Sequence, residues 1–361
     1  MKKFLPFLIF ILYWILFPSE VGEEFAPILL SSAEVPGDIT AIGGNPVLSF
    51  SAPGNCGYID ENGDIIFSLA NSSFVSTAGG YTLALEDNGK YSIRDLKNNI
   101  IADVDIDGYP IYMDAGLFVL SPDYRELSIY SKGGMFMVSR YFPTPVSSLD
   151  AGCGLIAVGL TNGDIHILDA KGSTVFNSKL NYSGLSCVYA VKIGRDGNKI
   201  AVIHGNKPQF LHIFSKRTSK AGDYADYYVA ELNSDFFDNV FLQFSGNGKV
   251  VAYQTGDGLE ALNIDKPGII NIRPQGIFRD GILSEDGLFF FMSLERDGKC
   301  YMSYMDLNGG EMYSSGSPAD YISFSISSRL LLAYARNIDA ADEGFSGNIE
   351  NMIYLYGLLT Q

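Results

Sequence analysis

The sequence predicts an all-β fold in which one four-stranded sheet is repeated and stacked against its own copies. Three observations carry this. A pattern of short apolar alternations separated by glycine-bearing turns returns about every 40 residues between 74 and 330. Asn-Gly and Asp-Gly pairs fall where hairpins need positive φ, and Tyr, Val, Ile and Phe fill the pleated faces. Of 361 residues, 39 are glycine, 47% are hydrophobic and 18% are charged, which describes a folded chain rich in turns. A four-stranded module of this size cannot bury both faces alone, so the copies must stack.

The clearest copy runs from Val240 to Ile272: NVFLQF, a turn at Ser245 to Gly248, KVVAYQT, a turn at Gly256 to Gly258, LEALNI, and IINI after Lys266-Pro267-Gly268. Five others share its form. They begin at FVST before Gly79-Gly80, at PIYMD, at VSSLD before Ala151 to Gly154, at VYAVKI before Arg195 to Asn198, and at GILS before Glu285 to Gly287. Successive first turns are separated by about 36 to about 51 residues, the length of one propeller blade. A partial copy closes the chain, with YISFSI, LLLAYARN and MIYLYGLL. Another opens it: CGYIDENGDIIFSL, Cys56 to Leu69, reads as a hairpin turning at Asn62-Gly63. Joined, the two partial copies make one composite blade. The expectation is a seven-bladed β-propeller over 38–361, with few exposed sheet edges.

The first 25 residues differ in kind. Lys2 and Lys3 precede the run Phe4 to Phe17, and Glu20, Glu23 and Glu24 follow it. This order directs the N-terminus to the cytoplasm and the rest outward. Roughly fourteen residues of helix span about 21 Å, less than the approximately 30 Å of a hydrocarbon core. Residues 1–25 therefore read as a signal peptide or an uncleaved membrane anchor, though no small-x-small cleavage site stands out and no lipoprotein cysteine follows. Residues 26–37 read as a linker, interrupted by Pro27 and Pro36-Gly37; DITAI and PVLSF, within 38–50, are each a candidate short strand.

The resemblance is to the WD40-like or quinoprotein-like β-propeller superfamily. It rests on the blade-length repeat, on the Asp-bearing strand ends RDL (94–96), LDA (168–170) and MDL (305–307), and on the SxDG-like turn at Ser284 to Gly287. The Trp-Asp repeat ending is missing, since the sole tryptophan is Trp14. The resemblance implies architecture; the superfamily holds scaffolds, receptors and some enzymes, so function must come from sites.

Composition excludes some functions. A net charge of -16 leaves no surplus of Lys and Arg for a phosphate backbone, so nucleic acid is not an expected partner. His166, His204 and His212 are the only histidines, and no HExxH, His-x-His or Cys-x-x-Cys spacing marks a zinc site. Neither a GxSxG elbow nor a phosphate-binding loop occurs, and no cofactor is expected. Asp60, Asn62 and Asp64 alternate around Gly63. Asp103, Asp105 and Asp107 alternate before Gly108, and these three are the calcium candidates, although the full calcium loop is not completed and a solvated strand end explains them as well. Of the four cysteines, Cys153 and Cys187, at the starts of consecutive blades, are the pair to test for a disulfide.

Two insertions break the regularity. The first, 216–228, sets Lys216, Arg217 and Lys220 beside Tyr224, Tyr227 and Tyr228; the second, 337–351, carries Asp339, Asp342 and Glu343. Alternate connections leave a blade on opposite faces, so the two mark opposite faces, and both are candidate partner-binding loops. The expected function is a non-enzymatic scaffold or regulator in an extracytoplasmic assembly, in the periplasm or on the inner membrane, with an envelope or membrane protein as partner. The alternatives are a hydrolase or lyase acting on peptide or glycan in the central funnel, which needs convergent acids or histidines there, and a small-ligand-binding propeller.

Overall fold

A computed structural model describes residues 27–35, 45–52, 54–70, 75–180, 186–220, 222–234, 240–310, 312–314, 318–327, 329–338 and 349–358. The N-terminal apolar run lies outside them. The described residues form eight antiparallel sheets, seven of four strands and one of three. The sheets pack as blades of a closed ring. Blade 1 is three-stranded, 48–70; blades 2 to 7 are 75–104, 109–141, 146–179, 188–232, 242–272 and 277–314; blade 8 is 321–357 completed by Ile28–Glu34.

Eight apolar clusters show that the ring closes. Each is shared by two neighbouring blades: Leu83 and Leu117 join blades 2 and 3, Tyr253 and Ile213 join 5 and 6, and Phe291 and Leu331 join 7 and 8. Between blades 8 and 1, Phe50 stacks on Tyr334 with ring centroids 5.4 Å apart, beside Leu48, Ile59 and Leu355. A sheet whose strands are buried on both faces reads as near-continuous apolar sequence, as FFFMSL does at 289–294.

Seven blades is thus corrected to eight. The hairpin at Cys56 to Leu69 does not complete the last blade. It joins Leu48–Ala52 in a blade of its own. The last blade is closed instead by Ile28–Glu34, from the stretch that the sequence reads as a linker, paired antiparallel with Ile349–Gly357.

Strand count also fixes polarity. In blades 2 to 8 the first strand ends at one face of the disc, here the turn face, and the chain passes to the next blade at the opposite face. A three-stranded blade begins and ends on opposite faces, so blade 1 must start at the turn face to hand the chain on correctly. Contacts agree: Pro46 to Leu48 share a cavity with Gly79, Gly80 and Ser327 at the turn face, the Tyr58 hydroxyl donates to Tyr81 O at 2.7 Å, and Ser51, at the far end of its strand, reaches Val75 O. Blade 1 is inverted relative to its neighbours.

The turns use side chains as braces. Asp95 accepts from Lys97 N and Asn99 N, Asp169 from Lys171 N and Ser173 N, and Asp306 from Asn308 N, so the three strand ends resembling repeat endings are Asx turns. Ser284 Oγ bonds Asp286 at 2.6 Å and accepts from Phe289 N at 2.9 Å; Ser245 and Asn247 repeat the device one blade earlier.

Ring closure gives a prediction. Val35 N donates to Asn351 O at 2.7 Å, and the period of two turns the Ala33 N–H the same way and the Ser32 N–H outward. Ala33→Pro is expected to lower stability by about 1–3 kcal/mol through a lost ladder bond, and Ser32→Pro by well under half of that. Urea unfolding of the two variants checks this. Equal losses would mean that this pairing does not hold the ring shut.

Candidate interaction face and channel

The turn face carries an apolar rim on blade 3. The hairpin between its third and fourth strands places Met135, Phe136 and Met137 at 68%, 55% and 43% exposure. Gly134 fixes that hairpin: its φ is +84°, and an added Cβ would come within 3.0 Å of Ile93, Ala102 and Val104 on blade 2. Tyr141 is exposed further along the same strand, and Ile100 and Ile101 on the outer strand of blade 2. Outer strands normally turn polar side chains to water; here they carry large apolar groups, as Ile28, Leu29 and Leu30 do on the outer strand of blade 8.

Beside the rim lies a cleft of about 410 Å³ between blades 3 and 4, lined by Phe118, Ile129, Met137, Leu155 and Ile156, with Lys132 among its polar lining residues. Cys153, at φ +54°, also lines it, and its thiol faces Arg195 O. Cys187 points to its neighbour's carbonyl, Val188 O, at 3.7 Å. The pair considered for a disulfide is therefore not bonded, and all four thiols are free. Burial pushes the Cys56 thiol up to about 12, with a Thr82 hydrogen bond opposing.

The mouth of the channel on this face is charged. Lys192 pairs with Asp150 at 2.9 Å, whose other oxygen accepts from Ile193 N at 2.8 Å. Arg195 pairs with Glu285 across blade 6. Gln243 accepts from Leu283 N at 2.9 Å, stitching blade 6 to blade 7. Each of these groups fastens one blade to another, Asp150 and Glu285 each hold a cation, and a third carboxylate, Asp114, lines the same cavity.

The basic hairpin of blade 5 also lies at the turn face. Arg217 pairs with Asp223 at 3.0 Å, Lys216 N donates to Asn198 O, and Lys220 occupies the turn. Its tyrosines divide: the Tyr224 hydroxyl is buried on Gly197 O at 2.5 Å, Tyr228 packs on the core shared by blades 5 and 6, and Tyr227 is 51% exposed with its hydroxyl on Ile264 O. Asp339, Asp342 and Glu343 lie outside the described residues. Asp103, Asp105 and Asp107 are exposed at the end of blade 2. Among the described residues no group of three or more His, Cys, Asp or Glu side chains gathers as a metal site, and no helix is long and apolar enough to cross a membrane.

The histidines pack inside. His204 and His212 lie 5.8 Å apart, ring to ring, in blade 5; His212 stacks on Phe214 at 4.1 Å and meets Asp226 at 3.0 Å. Burial, with His212 adding to it, holds His204 down to about 3. Burial lowers His212, opposed by Asp226, and lowers His166, opposed by Asp164.

Comparison with known proteins decides the family. A family model described as beta-propeller protein matches residues 4–308. The chain belongs to this family of β-propeller proteins. Among solved structures, the propeller resembles BamB from Moraxella catarrhalis at 13% identity and a TM-score of 0.60, with 92% of this chain and 100% of that chain covered. It resembles the computationally designed Ika8 protein at 11% identity and 0.59, with the same coverages. Hsv2p from Kluyveromyces lactis follows at 12% identity and 0.55, with 78% of this chain and 98% of that chain covered. At these identities the likeness is one of fold. No curated protein matches the propeller's sequence.

Proposed function

We propose that this propeller is a non-enzymatic scaffold that binds a partner protein at its turn face, in an extracytoplasmic, membrane-associated assembly. The observation that carries the reading is the Met135-Phe136-Met137 rim standing beside an apolar cleft of about 410 Å³. Exposed apolar side chains next to a pocket supply the desolvated centre that protein contacts need, and methionine adapts to the shape it meets. The basic hairpin of blade 5 shares that face and offers Lys220 and Tyr227 to an acidic segment of the partner. The channel mouth favours binding, because two of its three acids, Asp150 and Glu285, are held in pairs with Lys192 and Arg195, and Asp114 is the third. The extracytoplasmic setting rests on the order Lys2-Lys3, apolar run, acidic cluster at the N-terminus.

The test is chemical crosslinking in intact cells, followed by mass spectrometry, with the parent chain and Phe136→Asp. The substituted side chain is more than half exposed, so stability is expected to move by no more than about 0.5 kcal/mol. A partner recovered with the parent and reduced at least tenfold with the variant supports the reading. An unchanged yield of every crosslinked protein would refute it.

A further inference from the structure

The inner strands of blades 1, 2, 7 and 8 enclose a second cavity, of about 280 Å³, away from the charged mouth. Alternation turns Ser49 and Ser51 of blade 1 and Tyr321, Ser323 and Ser325 of blade 8 toward it, and blade 2 adds Thr77. One acid lines it, Asp280 of blade 7, and no Lys, Arg or His does.

A β-bulge puts that acid there. The register of blade 7 shifts between Phe278 and Asp280, so Arg279 is the extra residue and the two flanking side chains face opposite ways. Phe278 packs on Phe241 toward blade 6, with ring centroids 5.1 Å apart, while Asp280 faces blade 8. Gly281 N donates to Asp280 Oδ1 at 2.8 Å. Arg279, the nearest cation in sequence, is committed to Glu295 at 2.5 Å. Unlike Asp150 and Glu285 at the mouth, Asp280 thus faces a hydroxyl-lined space in place of a basic side chain.

We propose that this cavity binds a small protonated amine, its ammonium on the Asp280 carboxylate and hydroxyls of Ser49, Ser51, Thr77 and Ser323, its body beside Tyr321 and Ser325. An anion finds no positive group here. A metal ion finds one carboxylate and a set of neutral hydroxyls, too little charge for a tight oxygen site. An ammonium satisfies both features at once, donating to carboxylate and hydroxyl oxygens. The volume holds on the order of ten non-hydrogen atoms, counting about 30 Å³ for each water-sized unit. The net charge of -16 raises the local concentration of cations around the disc.

The test is calorimetric titration of the full-length protein with ethanolamine, with ethylene glycol as its uncharged counterpart and glucose as a polyhydroxyl control. Ethanolamine is expected to bind saturably, the other two not. Burial raises Asp280 to about 6, so affinity is expected to fall about tenfold per unit as pH drops below 6. The other titratable groups lining the cavity are Tyr321 and Tyr334, both pushed up by burial and neutral over this range; Arg336 on blade 8 acts on Tyr334. Asp280→Asn is expected to cut affinity at least tenfold while remaining folded by circular dichroism. No saturable binding at millimolar ethanolamine, equal binding by the variant, or binding of glucose in its place would each overturn the proposal.

Discussion

Asp280→Asn is expected to be more stable than the parent at pH 7, by up to about 3 kcal/mol. The carboxyl rises from 3.8 to about 6 because burial penalises its charge, with only the Gly281 N–H in opposition. A tenfold change in proton affinity between folded and unfolded chain is worth about 1.4 kcal/mol. The sign follows from proton linkage. Between pH 6 and 3.8 the folded chain takes up this proton while the unfolded chain does not, so the folded state gains as pH falls and carries the full penalty above pH 6. Asparagine keeps the shape and never carries the charge. Its advantage in urea unfolding is expected to be greatest at pH 7 and to shrink toward zero at pH 4. A variant less stable than the parent at pH 7 would mean that Asp280 is compensated by a group the cavity does not show.

His204 acts in the reverse direction. Its folded value near 3 lies below the ordinary 6.5, so as pH falls from 6.5 toward 3 the unfolded chain binds the proton first and the folded chain loses stability. By pH 4 the loss is about 3 kcal/mol. In the parent this loss, to which the lowered His212 and His166 add, is opposed over pH 6 to 4 by the gain at Asp280. In Asp280→Asn that opposition is gone, so the variant is expected to lose stability more steeply on acidification than the parent. The His204 ring resonances in an NMR titration should not move above about pH 4. A midpoint near the ordinary value of about 6.5 would contradict the buried, neutral ring.

Much of the ring is legible in the sequence, because turn chemistry repeats: SGNG, SEDG, RDGN and TNG mark blade after blade, and the Asp-bearing strand ends are the braces seen at Asp95, Asp169 and Asp306. The blade count is not, for a physical reason. Ile28–Glu34 covers the outside of blade 8, with Ile28, Leu29 and Leu30 exposed, so it lacks the alternation that marks a half-buried strand, and the flanking prolines make it look like a connector. Two partial blades then read as one. The candidate sites are less legible still. Met135, Phe136 and Met137 read as an ordinary outer strand, because an exposed apolar residue is spelled like a buried one. Asp280 sits just before GILS, where alternation begins; the bulge at Arg279 hides from a period-of-two reading the residue that it aims inward.

Which face of the disc meets a partner is read directly by site-specific photocrosslinking in intact cells. A photoreactive phenylalanine analogue placed at Met135 on the turn face is expected to trap a discrete protein adduct, and the same analogue at Asp87, in an exposed turn of blade 2 on the opposite face, is not. Adducts from position 87 with none from position 135 would contradict a partner on the turn face.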